Sequence, residues 1–100
     1  MSEQVIFTLN VPSLLKDDVI DILIDLDYIS GFNLNKIQGF SKEHSQFDTA
    51  EQVAGHRTFY QFEVLILSTQ YIPIKEALKT ICQPARLKYW LTPVIDSGKF

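Results

Sequence analysis

Hydrophobic and polar residues alternate along several stretches of the chain, as they do in a β-strand that buries one face. The clearest stretch is 58–67, in which Phe59 and Phe62 fall on opposite faces. In the strand before it, 31–40, the alternation slips at Lys36 and Ile37, which predicts a bulge or a bend before Gly39. The predicted strands are 5–11, 31–40, 58–67 and 87–92.

Two other stretches have apolar residues every three or four positions, which indicates an amphipathic helix packed on a sheet. The first, 14–27, places Val19 and Leu23 on one side and aspartates on the other, and Ser13 is its expected N-cap. The second follows the third strand, and we expect Pro84 to end it because proline interrupts helices.

The element order is therefore βαββαβ, a ferredoxin-like α+β fold with a four-stranded antiparallel sheet and two helices on one face. One hundred residues suit a single domain, 1–100. The other face of the sheet is apolar, and no predicted segment remains to cover it. We expect copies of the chain to cover it for one another in a closed symmetric oligomer. The residues predicted on this face are Ile6, Phe59, Leu65, Leu67 and Trp90.

A long polar segment, 41–57 (SKEHSQFDTAEQVAGHR), joins the second and third strands. Hairpin strands need only about 2–5 linking residues, and compact domains rarely keep loops beyond about 12–15 residues without a use for them. Both histidines of the chain, His44 and His56, lie in this segment. The sequence thus predicts a small scaffold that displays a chemically rich loop.

Composition narrows the function further. A net charge of -3 provides no basic patch for nucleic acid. The lone Cys82 cannot form an internal disulfide, which suits a reducing compartment. The sequence shows no targeting segment and no apolar run long enough to cross a membrane. We therefore expect a cytoplasmic protein that does not insert into membranes. Because no recognisable nucleophile set, phosphate-binding glycine loop or H-E-x-x-H motif occurs, we expect no catalytic activity.

Two strings resemble the PII signal-transduction superfamily. GFNLNKIQGF at 31–40 resembles the strand that leads through Gly-Phe into its T-loop, and LKYWLTPV at 87–94 resembles its last strand. More narrowly, HS at 44–45, AEQVAG at 50–55 and YWLTPV-DSG at 89–98 resemble short PII-like proteins of bacteria. Those proteins are often encoded beside heavy-metal efflux systems of the resistance-nodulation-division type.

The resemblance implies a homotrimer whose loops project from clefts between subunits. It also implies a regulator that senses a small effector in those clefts, such as an adenine nucleotide or a divalent transition metal. The effector-binding residues would be Gly39, Phe40, Lys42, Arg57, Arg86 and Lys88.

The resemblance further implies that the 41–57 loop contacts a partner protein, for instance a membrane transporter or efflux component. The contacting residues would be Glu43, His44, Ser45, Asp48 and Glu51. Nucleotidylation is not expected, because the loop holds no tyrosine. The link 83–86 also lacks the glycines with which nitrogen-regulatory members hold phosphates.

The alternative function is a divalent-metal-binding accessory or sensor protein for heavy-metal resistance, with His44 and His56 as ligands. Carboxylates of the same loop would complete a nitrogen-and-oxygen site. The histidine spacing matches no standard metal motif, so two solvated histidines in a polar loop remain the competing interpretation.

Overall fold

A computed structural model describes residues 3–40 and 57–100 of the chain. Within these ranges, short 3₁₀ turns at Ser13–Leu15 and Ser68–Gln70 lead into the two helices. The strands are β1 (Gln4–Pro12), β2 (Asn33–Gly39), β3 (Arg57–Leu67) and β4 (Tyr89–Pro93), and the helices are α1 (Lys16–Asp25) and α2 (Tyr71–Ala85).

The four strands form one antiparallel sheet in the order β2-β3-β1-β4. The long strands β1 and β3 are central, and the shorter β2 and β4 form the edges. Phe7 in β1 lies opposite Val64 in β3 and Leu91 in β4, so these three residues share one face. The predicted ferredoxin-like α+β fold is confirmed.

The core lies between one face of the sheet and the two helices. Alternate residues of β1 and β3 point into it because successive side chains of a strand face opposite sides. They meet Val19 and Leu23 of α1 and Ile74 and Leu78 of α2, which repeat at the helical spacing of four. The buried apolar residues are Val5, Phe7, Leu9, Val11, Val19, Leu23, Phe62, Val64, Ile66, Ile74 and Leu78.

The starts and ends of the helices differ from the sequence prediction. Ser13 does not cap α1, because a 3₁₀ turn comes first and Leu15 occupies the N-cap position without a side-chain hydrogen bond. Pro84 lies inside α2 rather than ending it. In the last turn a proline removes little more than its own backbone hydrogen bond, which the helix end tolerates. Arg86, in a left-handed conformation, forms the true end.

The predicted bulge in β2 is also wrong. β2 pairs with β3 residue for residue, from Asn33 opposite Glu63 to Gly39 opposite Arg57. Lys36 lies opposite Tyr60, on the helix side of the sheet. Because β2 is an edge strand, this lysine is still exposed to solvent. It therefore interrupts the apolar pattern without disturbing the backbone pairing.

Candidate functional site

Residues predicted to bind an effector lie at one end of the sheet. Gly39 is the last residue of β2 and pairs with Arg57, the first residue of β3. Phe40 follows as an exposed side chain. Lys42, the remaining predicted residue on this side, lies outside the described residues.

Arg86 and Lys88 reach the same end of the sheet from the opposite edge, since they lead from α2 into β4. The Lys88 carbonyl oxygen accepts a backbone hydrogen bond of 3.1 Å from Asn10, near the end of β1. Three interstrand spacings separate the β2 and β4 edges, a distance of ~14 Å. Within one chain, Gly39 and Arg57 therefore lie at the same end of the sheet as Arg86 and Lys88, but towards the opposite edge.

The loop residues named for partner and metal contact stay untested predictions. Glu43, His44, Ser45, Asp48, Glu51 and His56 all lie outside the described residues. Among residues 3–40 and 57–100, no group of three or more His, Cys, Asp or Glu side chains could hold a metal ion. Nor is either described helix long and apolar enough to cross a membrane.

The face of the sheet that turns away from the helices carries large apolar side chains, as predicted, beside polar ones such as Glu63 opposite Thr8. The register places Leu65 opposite Ile6, and Trp90 opposite Thr8, on that face. Leu65 is 42% exposed and Trp90 43% exposed, although both are large apolar side chains. Both described helices lie on the other side of the sheet, so neither of them covers these two side chains.

A polar cluster that the sequence pattern did not predict lies beside β4. The hydroxyl oxygens of Tyr71 and Tyr89 are 3.0 Å apart, and Lys75 Nζ lies 3.4 Å from the Tyr71 hydroxyl. The same Nζ sits 4.9 Å from the centre of the Tyr89 ring. That ring stacks on Phe7, with 5.7 Å between ring centres, so a core residue anchors the cluster.

The electrostatics of the cluster follow from these contacts. Hydrogen bonding to Tyr89 and then to Tyr71 raises the pKa of the Lys75 ammonium. Hydrogen bonding from Lys75 and then from Tyr71 lowers the pKa of the Tyr89 hydroxyl. Both shifts have the same origin, because a nearby ammonium favours the phenolate and a nearby phenolate favours the ammonium.

The cluster borders a groove of about 640 Å³ between α2 and β4, which we call the α2–β4 groove. The groove contains three of the nine Lys and Arg residues of the chain. Its defining residues are Ile72, Lys75, Lys79, Cys82, Arg86 and Tyr89.

Cys82, on the wall of the groove, is half-buried. Burial raises the pKa of its thiol to about 11, because a thiolate is poorly solvated there. The thiol therefore stays protonated at neutral pH, which makes it a weak nucleophile and a poor metal ligand.

One signal in the sequence pointed to the groove. Lys75 and Lys79 are four residues apart, so they share a helix face, and Arg86 follows at the end of that helix. Tyr71 and Tyr89 were harder to find, because they belong to different elements and meet only where α2 crosses the edge of the sheet.

Comparison with known proteins gives one family. A family model described as "Protein of unknown function (DUF3240)" matches residues 1–100. A crystal structure of a DUF3240 family protein from Shewanella baltica OS155 is 32% identical, with a TM-score of 0.82, over 100% of this chain and 99% of that chain. No curated protein matches the sequence.

More distant structures share the fold alone. The periplasmic divalent cation tolerance protein CutA from Archaeoglobus fulgidus is 13% identical, with a TM-score of 0.74, over 96% of this chain and 88% of that chain. CutA1 from Pyrococcus horikoshii is 14% identical, with a TM-score of 0.73, over 95% of this chain and 87% of that chain.

Proposed function

The chain belongs to the DUF3240 family, and we propose that it is a single-domain, PII-like regulatory protein without catalytic activity. In this proposal three copies form a ring, a small effector binds in the clefts between them, and segment 41–57 contacts a protein partner. The protein acts in the cytoplasm, and its partner is a membrane transporter or an efflux component.

The uncovered face of the sheet supports the oligomer. Leu65, beside Ile6, and Trp90, beside Thr8, expose apolar surface on the open face of the sheet, and burying such surface is favourable by about 25 cal/mol per Å². Exposed apolar surface of this kind often marks a contact between proteins. Sheets packed inward against one another would remove the patch from water.

The placement of the candidate ligand residues supports a ring and carries the proposal. Gly39 ends the edge strand β2 and pairs with Arg57 of β3, and Arg86 and Lys88 lie at the β4 edge, at the same end of the sheet. A contact between two different edges of identical chains is head-to-tail, and head-to-tail contacts form a ring when the rotation from chain to chain closes. Such a contact would complete the ligand set from two neighbouring chains.

An adenine nucleotide is the proposed effector. Without glycine in residues 83–86, the backbone cannot wrap a phosphate as a glycine-rich loop does, so side chains would provide the phosphate contacts. Arg86 and Lys88 are the cations at that position, and guanidinium groups bind phosphate with two parallel hydrogen bonds. Segment 41–57 leaves β2 and enters β3 at the same end of the sheet, where a bound effector would reach it.

A divalent metal is the second candidate effector. Both histidines of the chain, His44 and His56, belong to segment 41–57. A structural relative at 13% identity is named a divalent cation tolerance protein. In this version the protein is an accessory or sensor for heavy-metal resistance, and the two histidines bind the ion with carboxylates of the same segment.

A thermal-shift panel tests both versions. A ligand that binds only the native state at one hundred times its Kd adds ~2.7 kcal/mol of stability, which raises Tm by several degrees. Stabilisation by ATP, ADP or AMP that is lost in Lys88→Gln but kept in Lys99→Gln supports the nucleotide version. The control changes the same side chain in the C-terminal segment, where Val94 hydrogen-bonds to Gln4 at the other end of the sheet.

Stabilisation by zinc, copper or cobalt that is lost when His44 and His56 are both changed to Ala supports the metal version. If neither nucleotides nor metals change Tm, the regulatory proposal in both versions is wrong.

A further inference from the structure

The α2–β4 groove concentrates positive charge in an acidic protein. Lys75, Lys79 and Arg86 line it together with one carboxylate, Glu76, whereas the chain as a whole has a net charge of -3. Among the described residues, no acidic side chain lies within salt-bridge distance of these three cations. A concave surface with an excess of one charge raises the local concentration of ligands of the opposite charge.

The cluster at one side of the groove leaves hydrogen-bond donors available to a ligand. A lysine ammonium has three donors, and Lys75 directs at most two of them at the hydroxyls of Tyr71 and Tyr89, which leaves at least one. The Tyr71–Tyr89 pair uses one hydroxyl proton between its two oxygens, so one phenolic proton also remains. The stacking of Tyr89 on Phe7 holds these donors in place. Oxyanions are the acceptors that such donors bind most strongly.

The size and walls of the groove indicate a ligand larger than a bare anion. Small-molecule sites usually enclose about 300–1,000 Å³ and combine apolar walls with a few polar groups. At about 640 Å³ the groove falls in this range, and Ile72, Leu87 and Cys82 provide apolar wall. An apolar or aromatic body next to the charged head would use this surface.

We propose that the α2–β4 groove is a binding site for an organic phosphate monoester, with Lys75, Tyr89 and Lys79 on the phosphate. Three cations against one carboxylate give a formal excess of two positive charges, which matches a phosphate monoester dianion better than a carboxylate. The site is formed within one chain, and it is separate from the clefts proposed between chains. Arg86 lies at the edge of both.

A titration of the full ¹⁵N-labelled chain with phenyl phosphate, followed by amide NMR at constant ionic strength, tests this site. Saturable shifts should appear for amides of α2 and for Tyr89. Lys75→Met should raise the Kd about tenfold, because one charge-assisted hydrogen bond is lost. Tyr89→Phe should also raise the Kd, while it keeps the aromatic ring stacked on Phe7. Lys36→Met, which removes the same charge from β2, should leave the Kd unchanged.

The other probes separate the parts of the proposal. Benzyl alcohol should not bind, since it lacks the anion, and inorganic phosphate and benzoate should both bind more weakly than phenyl phosphate. Equal binding of inorganic phosphate, equal Kd values for Lys75→Met and Lys36→Met, or shifts that never saturate would each overturn the proposal. The variants Lys75→Met and Tyr89→Phe leave Lys88 and the cleft intact, so failure here does not depend on the outcome of the nucleotide and metal panel.

Discussion

The backbone N–H of Leu87 donates a hydrogen bond of 3.2 Å to the carbonyl oxygen of Cys82, and this bond closes α2. Next to it, the N–H of Arg86 bonds to the Gln83 carbonyl at 3.0 Å, and Arg86 has a φ of 54°. These are the two hydrogen bonds of a Schellman motif. Glycine usually occupies the left-handed position of that motif, because a side chain there is strained.

Arg86→Gly should therefore stabilise the protein, by about 1 kcal/mol, because glycine adopts the left-handed conformation without strain. Urea unfolding at a fixed protein concentration measures the change in the free energy of unfolding. Gln83→Gly, within α2, is the matched control and should destabilise by about 1 kcal/mol. Lower stability of Arg86→Gly would show that the Arg86 side chain makes contacts worth more than the backbone strain. If the α2–β4 groove is a binding site, the backbone strain at Arg86 is explained by the position of its side chain at that groove, since strained residues are often kept at binding sites.

Cys82 should react slowly with alkylating reagents at neutral pH. Burial raises the pKa of its thiol to about 11, so little thiolate is present at pH 7. The rate of iodoacetamide modification, followed by mass spectrometry, should rise steadily between pH 8 and pH 10. A rate that levels off between pH 9 and pH 10 would mean that the pKa stays at the ordinary value of 9.0.

The same shift should make folding stability fall at high pH. An unperturbed thiol has a pKa of 9.0 and the folded chain raises it to about 11, so the unfolded chain loses the proton first as pH rises. The contribution of Cys82 is fully present below about pH 9, and it is lost as pH rises through 11. We expect the stability difference between wild type and Cys82→Ala to shrink over that window in urea titrations. A constant difference would contradict this.

Replacing Lys75 with methionine should raise the pKa of Tyr89. Hydrogen bonding from Lys75 is the largest cause of the lowered pKa of this hydroxyl, and methionine has neither the charge nor the donor. A pH titration followed by ¹³C NMR of the labelled tyrosine ring measures the value directly. Lys79→Met removes the same charge one helical turn away, and we expect a smaller effect on Tyr89. Equal effects of the two variants would mean that general charge, not the Lys75 contact, controls the titration.

The alternation of apolar residues was sufficient to predict the sheet, because β1 and β3 are central strands that bury one face along their whole length. The same pattern placed Leu65 and Trp90 on the opposite face, as the pairing of Leu65 with Ile6 confirms. Edge strand β2 was less predictable, since Lys36 can lie on its helix side and still reach solvent.

Local rules were less reliable at the ends of the helices. Ser13 is a good capping residue, but the chain leaves β1 through a 3₁₀ turn and begins α1 three residues later. The Tyr71–Tyr89 contact joins residues 18 apart in sequence. It depends on the angle at which α2 crosses β4, which no spacing in the sequence specifies.

The uncovered face of the sheet is the feature on which the regulatory proposal depends, and charge placed on it should prevent assembly. Leu65→Glu puts a carboxylate on that face, opposite Ile6, where the single chain leaves the side chain 42% exposed. Ile24→Glu is the matched control, because Ile24 is 67% exposed on α1, on the other side of the molecule. The separated chain tolerates both changes, whereas an interface built on the open face tolerates only the second.

Light scattering coupled to size-exclusion chromatography at micromolar concentration therefore tests the central claim most directly. The wild type and Ile24→Glu should elute with three times the 11.5 kDa mass of one chain, and Leu65→Glu should elute with the mass of a single chain. A wild type that elutes as one chain, or a Leu65→Glu variant that keeps the threefold mass, would contradict assembly through the open face of the sheet.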